Sequence, residues 1–330
     1  MSTSIFPDVE KLTAALNNIF CGEGRIDSPV VVTKREPAIY ASTAPSETVT
    51  CRLANKTEFV LFCKYGGRTQ HSHGTRGGVT YEAEVYRRVL QPLKISKATF
   101  CGAYEDVATG ETWLFLEYLD KCVRLSKTWE EEMRLTARWL GHFHAINEAR
   151  LSTESIPFLK VYDVEYYLGW PKRTLQFAGD LNLSLPWLDT LCKRWNEVVT
   201  DLLLPSTTVV HCEFYPHNIL IRDGIVYPID WESAAIAVGE IDLVALTDDW
   251  PEEVVQQCEL EYQKARWLEG APSYFQRRLN AARLFQDFRW LGDRDITKKY
   301  GISELYKDKH SKLLRRFEKL RSVGEQLGLI

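Results

Sequence analysis

Apolar positions along this chain keep two rhythms, and the change from one to the other divides it. Near the N-terminus Val9, Leu12, Leu16, Ile19 and Phe20 share one helical face, so a helix is predicted over 8–20. Short apolar runs follow at 30–33, 39–53, 59–64, 99–105 and 112–119, bounded by Gly, Ser and Thr clusters as strands are. The 39–53 run breaks into strand, polar turn and strand, and a helix is predicted over 81–93. Beyond residue 120 the helical period dominates. Thr128 and Glu131 make a capping box for a helix to about Asn147. The segment 186–199 puts Trp187, Leu191, Trp195 and Val198 on one stripe, and helices are predicted at about 251–269, 272–292 and 303–327. One stretch breaks this helical half. Residues 209–232, VVHCEFYPHNILIRDGIVYPIDWE, run from an apolar strand end through a polar loop into two short strands joined by the turn signal Asp223-Gly224.

Composition narrows the class. Hydrophobic content of 45%, charged content of 26% and a net charge of −4 are those of a globular protein, with no global electrostatic case for nucleic acid or anionic membrane. No apolar run is long enough to span a bilayer, and no basic-then-apolar leader opens the chain. The eight cysteines are scattered singly without a C-x-x-C pair, which predicts reduced, buried thiols and a cytoplasmic location. His71 and His73, in the Gly-rich loop 68–78, lack further ligands nearby and are not read as a metal site. His142 and His144 are read as packed or surface histidines.

The chemistry concentrates in 209–232. His211, Glu213 and Asn218 have the His-x-acid-x-x-x-x-Asn spacing of a kinase catalytic loop, and Asp230 ends the following hairpin. Phosphoryl transfer from a nucleotide needs such a set: one carboxylate to accept the proton of the attacking hydroxyl, and an amide oxygen with a second carboxylate to hold magnesium. Upstream, Lys64 ends a strand where it can reach nucleotide phosphates if a helix carboxylate fixes it; Glu82 is the candidate, with Glu84 as the alternative. Asp248, Asp249, Glu252 and Glu253 cluster ahead of a helix whose first turn Pro251 marks. They suit either a cationic acceptor or, as the reading adopted here, the helix dipole.

HCEFYPHNIL, PIDWE and GEIDLVAL, in that order and spacing, resemble the aminoglycoside phosphotransferase and choline kinase family, which shares the protein-kinase-like fold. The resemblance covers about residues 30–292 and implies a bilobal α+β architecture. Residues 1–120 would form a small antiparallel-sheet lobe binding the nucleotide, and 121–330 a larger, mainly helical lobe with the catalytic loop and acceptor site. It implies an ATP-dependent, Mg2+-assisted phosphotransferase acting on a hydroxyl of a small molecule. Glu213 would be the base, where the family usually has Asp, and His211 would brace its loop. Asn218 and Asp230 would hold the metal. Lys64 and Glu82 would position phosphates beneath a turn carrying Ser42, Thr43 and Ser46, and backbone near Glu117 and Leu119 would read the adenine. Asp242 would brace the second lobe. Tyr166, Tyr167 and Trp170 are candidates for the acceptor wall, against a reading as core. A kinase of a biosynthetic peptide and a nucleotide-binding pseudokinase are the rival functions.

Overall fold

The computed structural model describes residues 6–22, 28–38, 44–68, 76–179, 185–203, 206–293 and 309–330, which form two compact units. The first comprises Met1–Thr128 and His217–Ala234, the second Trp129–Pro216 and Ala235–Ile330.

In the first unit, β1 (Val31–Pro37), β2 (Ser46–Arg52), β3 (Glu58–Gly66), β4 (Phe100–Asp106) and β5 (Glu111–Glu117) form one antiparallel sheet in the order β1-β2-β3-β5-β4. Side chains alternate between its faces. Leu61, Cys63 and Tyr65 of β3 join Val49, Cys51, Trp113 and Phe115 on one face, which Leu12, Leu16 and Ile19 of α1 (Val9–Gly22) cover. Each leucine buried there contributes about 1.5–3 kcal/mol. Gly102 makes the close approach possible: a Cβ at this irregular point of β4 would lie 2.5 Å from the Ile19 side chain. Alternation sends Lys64 to the other face, towards α2 (Gly78–Glu84). That helix starts three residues earlier than its periodicity indicates and widens over Val85–Leu90, where Gln91 N–H bonds the Tyr86 carbonyl five residues back. Such widened turns are frequent near functional sites. The strand predicted at 30–33 runs from Val31 to Pro37, and 39–43, where a further strand was expected to open, lie outside the described residues.

The hairpin forms as expected from its turn. Ile219–Arg222 pairs with Ile225–Pro228, and Asp223 (φ 53°) and Gly224 (φ 71°) both take the left-handed conformation that matches the strands' twist. The Ile219–Arg222 strand also pairs with β6 (Val123–Arg124), which places the division after Thr128 rather than at 120 and gathers 217–234 into the first unit.

The second unit is mainly helical. It holds α3 (Glu130–Leu151), α4 (Val164–Ala178), α5 (Pro186–Arg194), α6 (Asn196–Val199), α7 (Glu240–Thr247), α8 (Glu252–Arg266), α9 (Phe275–Gly292) and α10 (Lys309–Gln326). A small sheet has Ala235–Ala237 between Thr208–Val210 and Lys160–Val161. The capping residue expected at Thr128 is one place out. Glu132 accepts from the Trp129 N–H at 3.2 Å, and the Thr128 hydroxyl bonds back to Leu125. Pro171 inside α4 has no N–H for the Tyr167 carbonyl, and the Trp195 indole N–H donates to that carbonyl at 3.1 Å instead. Trp170, Trp195, Tyr167, Phe143 and Phe285 are fully buried, and α9 runs through this core. α9 also buries Arg278, Gln286, Asp287 and Arg289, polar groups that core packing alone does not require. Among the described residues no helix is long and apolar enough to cross a membrane.

Candidate functional site

In the first unit the chemistry-bearing residues converge on Lys64. Its ammonium is buried and lies 2.7 Å from Glu82 Oε2 and 2.7 Å from Asp230 Oδ1. Burial alone would lower its pKa. The carboxylates of Glu82, Asp230 and Glu232 outweigh that and hold it above the ordinary lysine value. Burial pushes the Glu82 carboxyl up, against the pull of Lys64. Glu82 is fixed further by the Trp231 N–H at 3.1 Å. The alternative acid, Glu84, is turned to the surface arginines Arg87 and Arg88. Ser46 is buried directly across the β2–β3 ladder from Lys64, whereas Ser42 and Thr43 lie outside the described residues, as do His71 and His73.

The hairpin register places Asn218 opposite Ile229, one residue before Asp230. Pro228 pairs with Ile219, and one step further the Ile229 N–H donates to the Asn218 carbonyl at 2.9 Å, so Asn218 and Asp230 flank the open end. Asp230 has a φ of 67°, which costs a non-glycine residue about 1–3 kcal/mol and persists where the surroundings over-determine it. An amide and a carboxylate oxygen are the hard donors that suit Mg2+, which keeps several waters and takes its other ligands from phosphates. Accordingly, among the described residues no group of three or more His, Cys, Asp or Glu forms a self-sufficient metal cage. Glu117 ends β5 and Leu119 lies two residues beyond it. Glu117 N–H bonds the Thr99 carbonyl at 3.0 Å, its carboxylate accepts from the Thr99 hydroxyl, and Leu119 is buried. One carboxylate escaped the sequence reading. Glu232 is buried two residues beyond Asp230, its Oε1 is 3.7 Å from Arg76 Nε, and burial lifts its pKa to about 7. The PIDWE motif displays it, but nothing in the spacing distinguishes it from a surface acid.

In the second unit the loop that follows Thr208–Val210 is held from below by Asp242. Its buried carboxylate accepts the His211 N–H at 2.6 Å and the Cys212 N–H at 2.8 Å. His144 Nε2 lies 3.3 Å from the same carboxylate and Nδ1 lies 3.0 Å from the Tyr262 hydroxyl. Burial lowers the His144 pKa despite Asp242. His144 therefore acts as a brace two contacts away from the loop. His211 Nδ1 accepts the Glu213 N–H at 3.3 Å, and Cys212 has a φ of 68°, a strained position within this loop. Glu213, nearly buried, has Oε1 3.1 Å from Arg289 Nη2, and the same guanidinium donates to the Cys212 carbonyl. Arg289 lies in Arg289-Trp290-Leu291-Gly292, which from the resemblance reads as a family-like closing segment near the substrate cleft but is too short to carry weight alone. Tyr167 and Trp170, candidates for an acceptor wall, are core residues packed around Phe285 and Tyr166; Tyr166, half-buried, stacks on Tyr162 at 3.8 Å. The two aspartates of the acidic cluster are tied up: Asp248 lies 2.6 Å from Arg316 and 2.9 Å from Lys319, and Asp249 lies 2.6 Å from Lys319. Arg316 is thereby buried.

A family model, the phosphotransferase enzyme family, matches residues 71–278. No curated protein matches the sequence. Among solved structures, the choline kinase of Cryptosporidium parvum is 14% identical with a TM-score of 0.62, covering 98% of each chain. The GDP complex of aminoglycoside 2'-phosphotransferase-IIIa is 12% identical with a TM-score of 0.56, covering 95% of this chain and 99% of that one. The amicoumacin kinase in complex with AMP-PNP and Ca2+ is 13% identical with a TM-score of 0.53, covering 87% and 88%. At these identities the likeness is one of fold, and the fold is protein-kinase-like.

Proposed function

This chain belongs to the phosphotransferase enzyme family, and on that premise we propose that it moves the γ-phosphoryl group of ATP, with Mg2+, onto a hydroxyl of a small molecule. It is an enzyme of the class whose acceptor is an alcohol. The observation that carries the finer reading is the buried Lys64 ammonium shared by Glu82 and Asp230. Two carboxylates on one ammonium leave an excess negative charge, with Glu232 beside it. Burying ions costs several kcal/mol each, so such a cluster stabilises a fold poorly; a divalent ion would complement its carboxylates and a polyphosphate its ammonium.

In this reading Lys64, steadied by Glu82, contacts the nucleotide phosphates below the turn that leads into Ser46. Asn218 and Asp230 would hold Mg2+, which supplies charge neutralisation on the phosphates when bound. Backbone at Glu117 and Leu119 reads the base. Glu213, five residues before Asn218 in the chain, orients the acceptor hydroxyl and takes its proton, and Asp242 through His211 and Cys212 keeps that loop in its strained form. The first unit thus handles the nucleotide and the second the acceptor. Support for a small acceptor comes from the similar choline and amicoumacin kinases, and support for nucleotide and divalent ion from the GDP and AMP-PNP–Ca2+ complexes. The free thiols suit the reducing cytoplasm.

Phosphorus NMR of the protein with Mg-ATP and pooled hydroxyl compounds is expected to show a new phosphate ester. Glu213→Gln should form it at least about a hundredfold more slowly, the usual size of a general-base contribution. Equal rates would remove Glu213 from the chemistry.

A further inference from the structure

The charges around Glu213 limit what kind of alcohol can approach it. Arg289 is buried, bonded to Glu213 and to the carbonyl before it, and the phenols of Tyr162, Tyr166 and Tyr215 act on the same charge. A guanidinium does not shed its proton in a protein, so Glu213 faces its substrate already neutralised. Four other acids of this unit are engaged as well. Asp242 receives two backbone N–H groups and His144, Asp248 and Asp287 share Arg316, and Lys319 bridges Asp248 and Asp249. Within the acidic stretch that would suit a cationic acceptor, Asp248 and Asp249 are thus paired with α10.

An alcohol whose hydroxyl lies on Glu213 brings its next carbons within a few ångströms of that guanidinium. An ammonium on the neighbouring carbon meets a like charge in a low-dielectric setting, which rejects it. A neutral polar or anionic substituent meets a fixed cation, which favours it. We propose that the acceptor is an alcohol with neutral or anionic substituents rather than an ammonium alcohol, and that Arg289 sets this selectivity. This rests on the reading of Glu213 as the base. In the step itself the acceptor oxygen bonds Pγ as the bond from Pγ to the ADP oxygen breaks. ADP leaves with that electron pair, and the hydroxyl proton goes to the Glu213 carboxylate.

The test uses the full chain with Mg-ATP and follows both ADP release and phosphate-ester formation. Choline is compared with its neutral carbon isostere, 3,3-dimethylbutan-1-ol, alongside sugars and hydroxycarboxylates. Neutral or anionic alcohols should be phosphorylated, and any of them that is turned over should exceed choline about a hundredfold or more in kcat/KM, as a buried like charge requires. Arg289→Gln should narrow that ratio about tenfold or more, and Arg289→Lys, which keeps the charge, should preserve it. The proposal is overturned if choline is the better substrate, if no neutral or anionic alcohol is phosphorylated, if folded Arg289→Gln leaves the ratio unmoved, or if Arg289→Lys accepts choline. Acceptor-independent ADP release that is lost in Asp230→Asn shows that the nucleotide centre works even when the acceptor proposal fails. Absence of both ADP release and nucleotide binding removes the underlying reading and the proposal together.

Discussion

A carboxyl group two residues beyond Asp230 titrates near neutrality. Glu232 is raised from 4.5 to about 7, first by burial and then by Asp230 and Glu82, with Lys64 and Arg76 pulling the other way. The folded protein therefore holds a proton that the unfolded chain releases. This group's contribution to stability is complete below about pH 4.5 and is lost as pH rises through 7. Glu232→Gln stays neutral throughout. Urea unfolding at pH 5 and pH 8 should show the variant gaining on the wild type by about 2 kcal/mol across that interval. A pH-independent difference would mean that Glu232 is ionised in the fold at both values. At this scale legibility followed the motifs. Lys64 and Asp230 were visible 166 residues apart because each sits in a recognisable context, and Glu82 was separable from Glu84 only through the structure. Arg289 reaches Glu213 across 76 residues from the interior of α9, and no local pattern marks an arginine that a core helix buries.

Among the elements, the hairpin was fully legible because Asp-Gly dictates the turn and the turn dictates the register. The start of α2 was not, because Gly77 precedes the helix without a side-chain cap and the widened turn at Val85–Leu90 has no periodic signature. The crossing of α3 and α8 was also hidden. Gly141 lies where a Cβ would come within 2.6 Å of the Tyr262 carbonyl and 2.7 Å of the Ala265 Cβ. Alanine is the better helix former by about 1 kcal/mol. Overpacking against a backbone oxygen opposes it, so Gly141→Ala should destabilise the protein by about 1–3 kcal/mol in urea unfolding. Tyr262 also carries the hydrogen bond to His144 and hence to Asp242, so the same substitution should slow phosphoryl transfer. A stabilised, fully active variant would show that the helices separate freely.

At the scale of the molecule, the strand and helix rhythms gave the correct partition of fold class, a sheet-rich first unit and a helical second one. The boundary was less legible, because β6 and the hairpin meet through a pairing of residues nearly a hundred apart in the chain. Family membership gives the chemistry its class, and the claim beneath the finer reading is that Lys64, Glu82 and Asp230, with Asn218, form a seat for a metal-bound nucleotide. Calorimetric titration of the full chain with AMP-PNP, with and without Mg2+, tests it most directly. The account predicts binding that Mg2+ strengthens, loss of the Mg2+-dependent part in Asp230→Asn, and loss of about tenfold or more of the affinity in Lys64→Met, as expected when a charged phosphate contact is removed. Undiminished, Mg2+-dependent binding in both variants would contradict it.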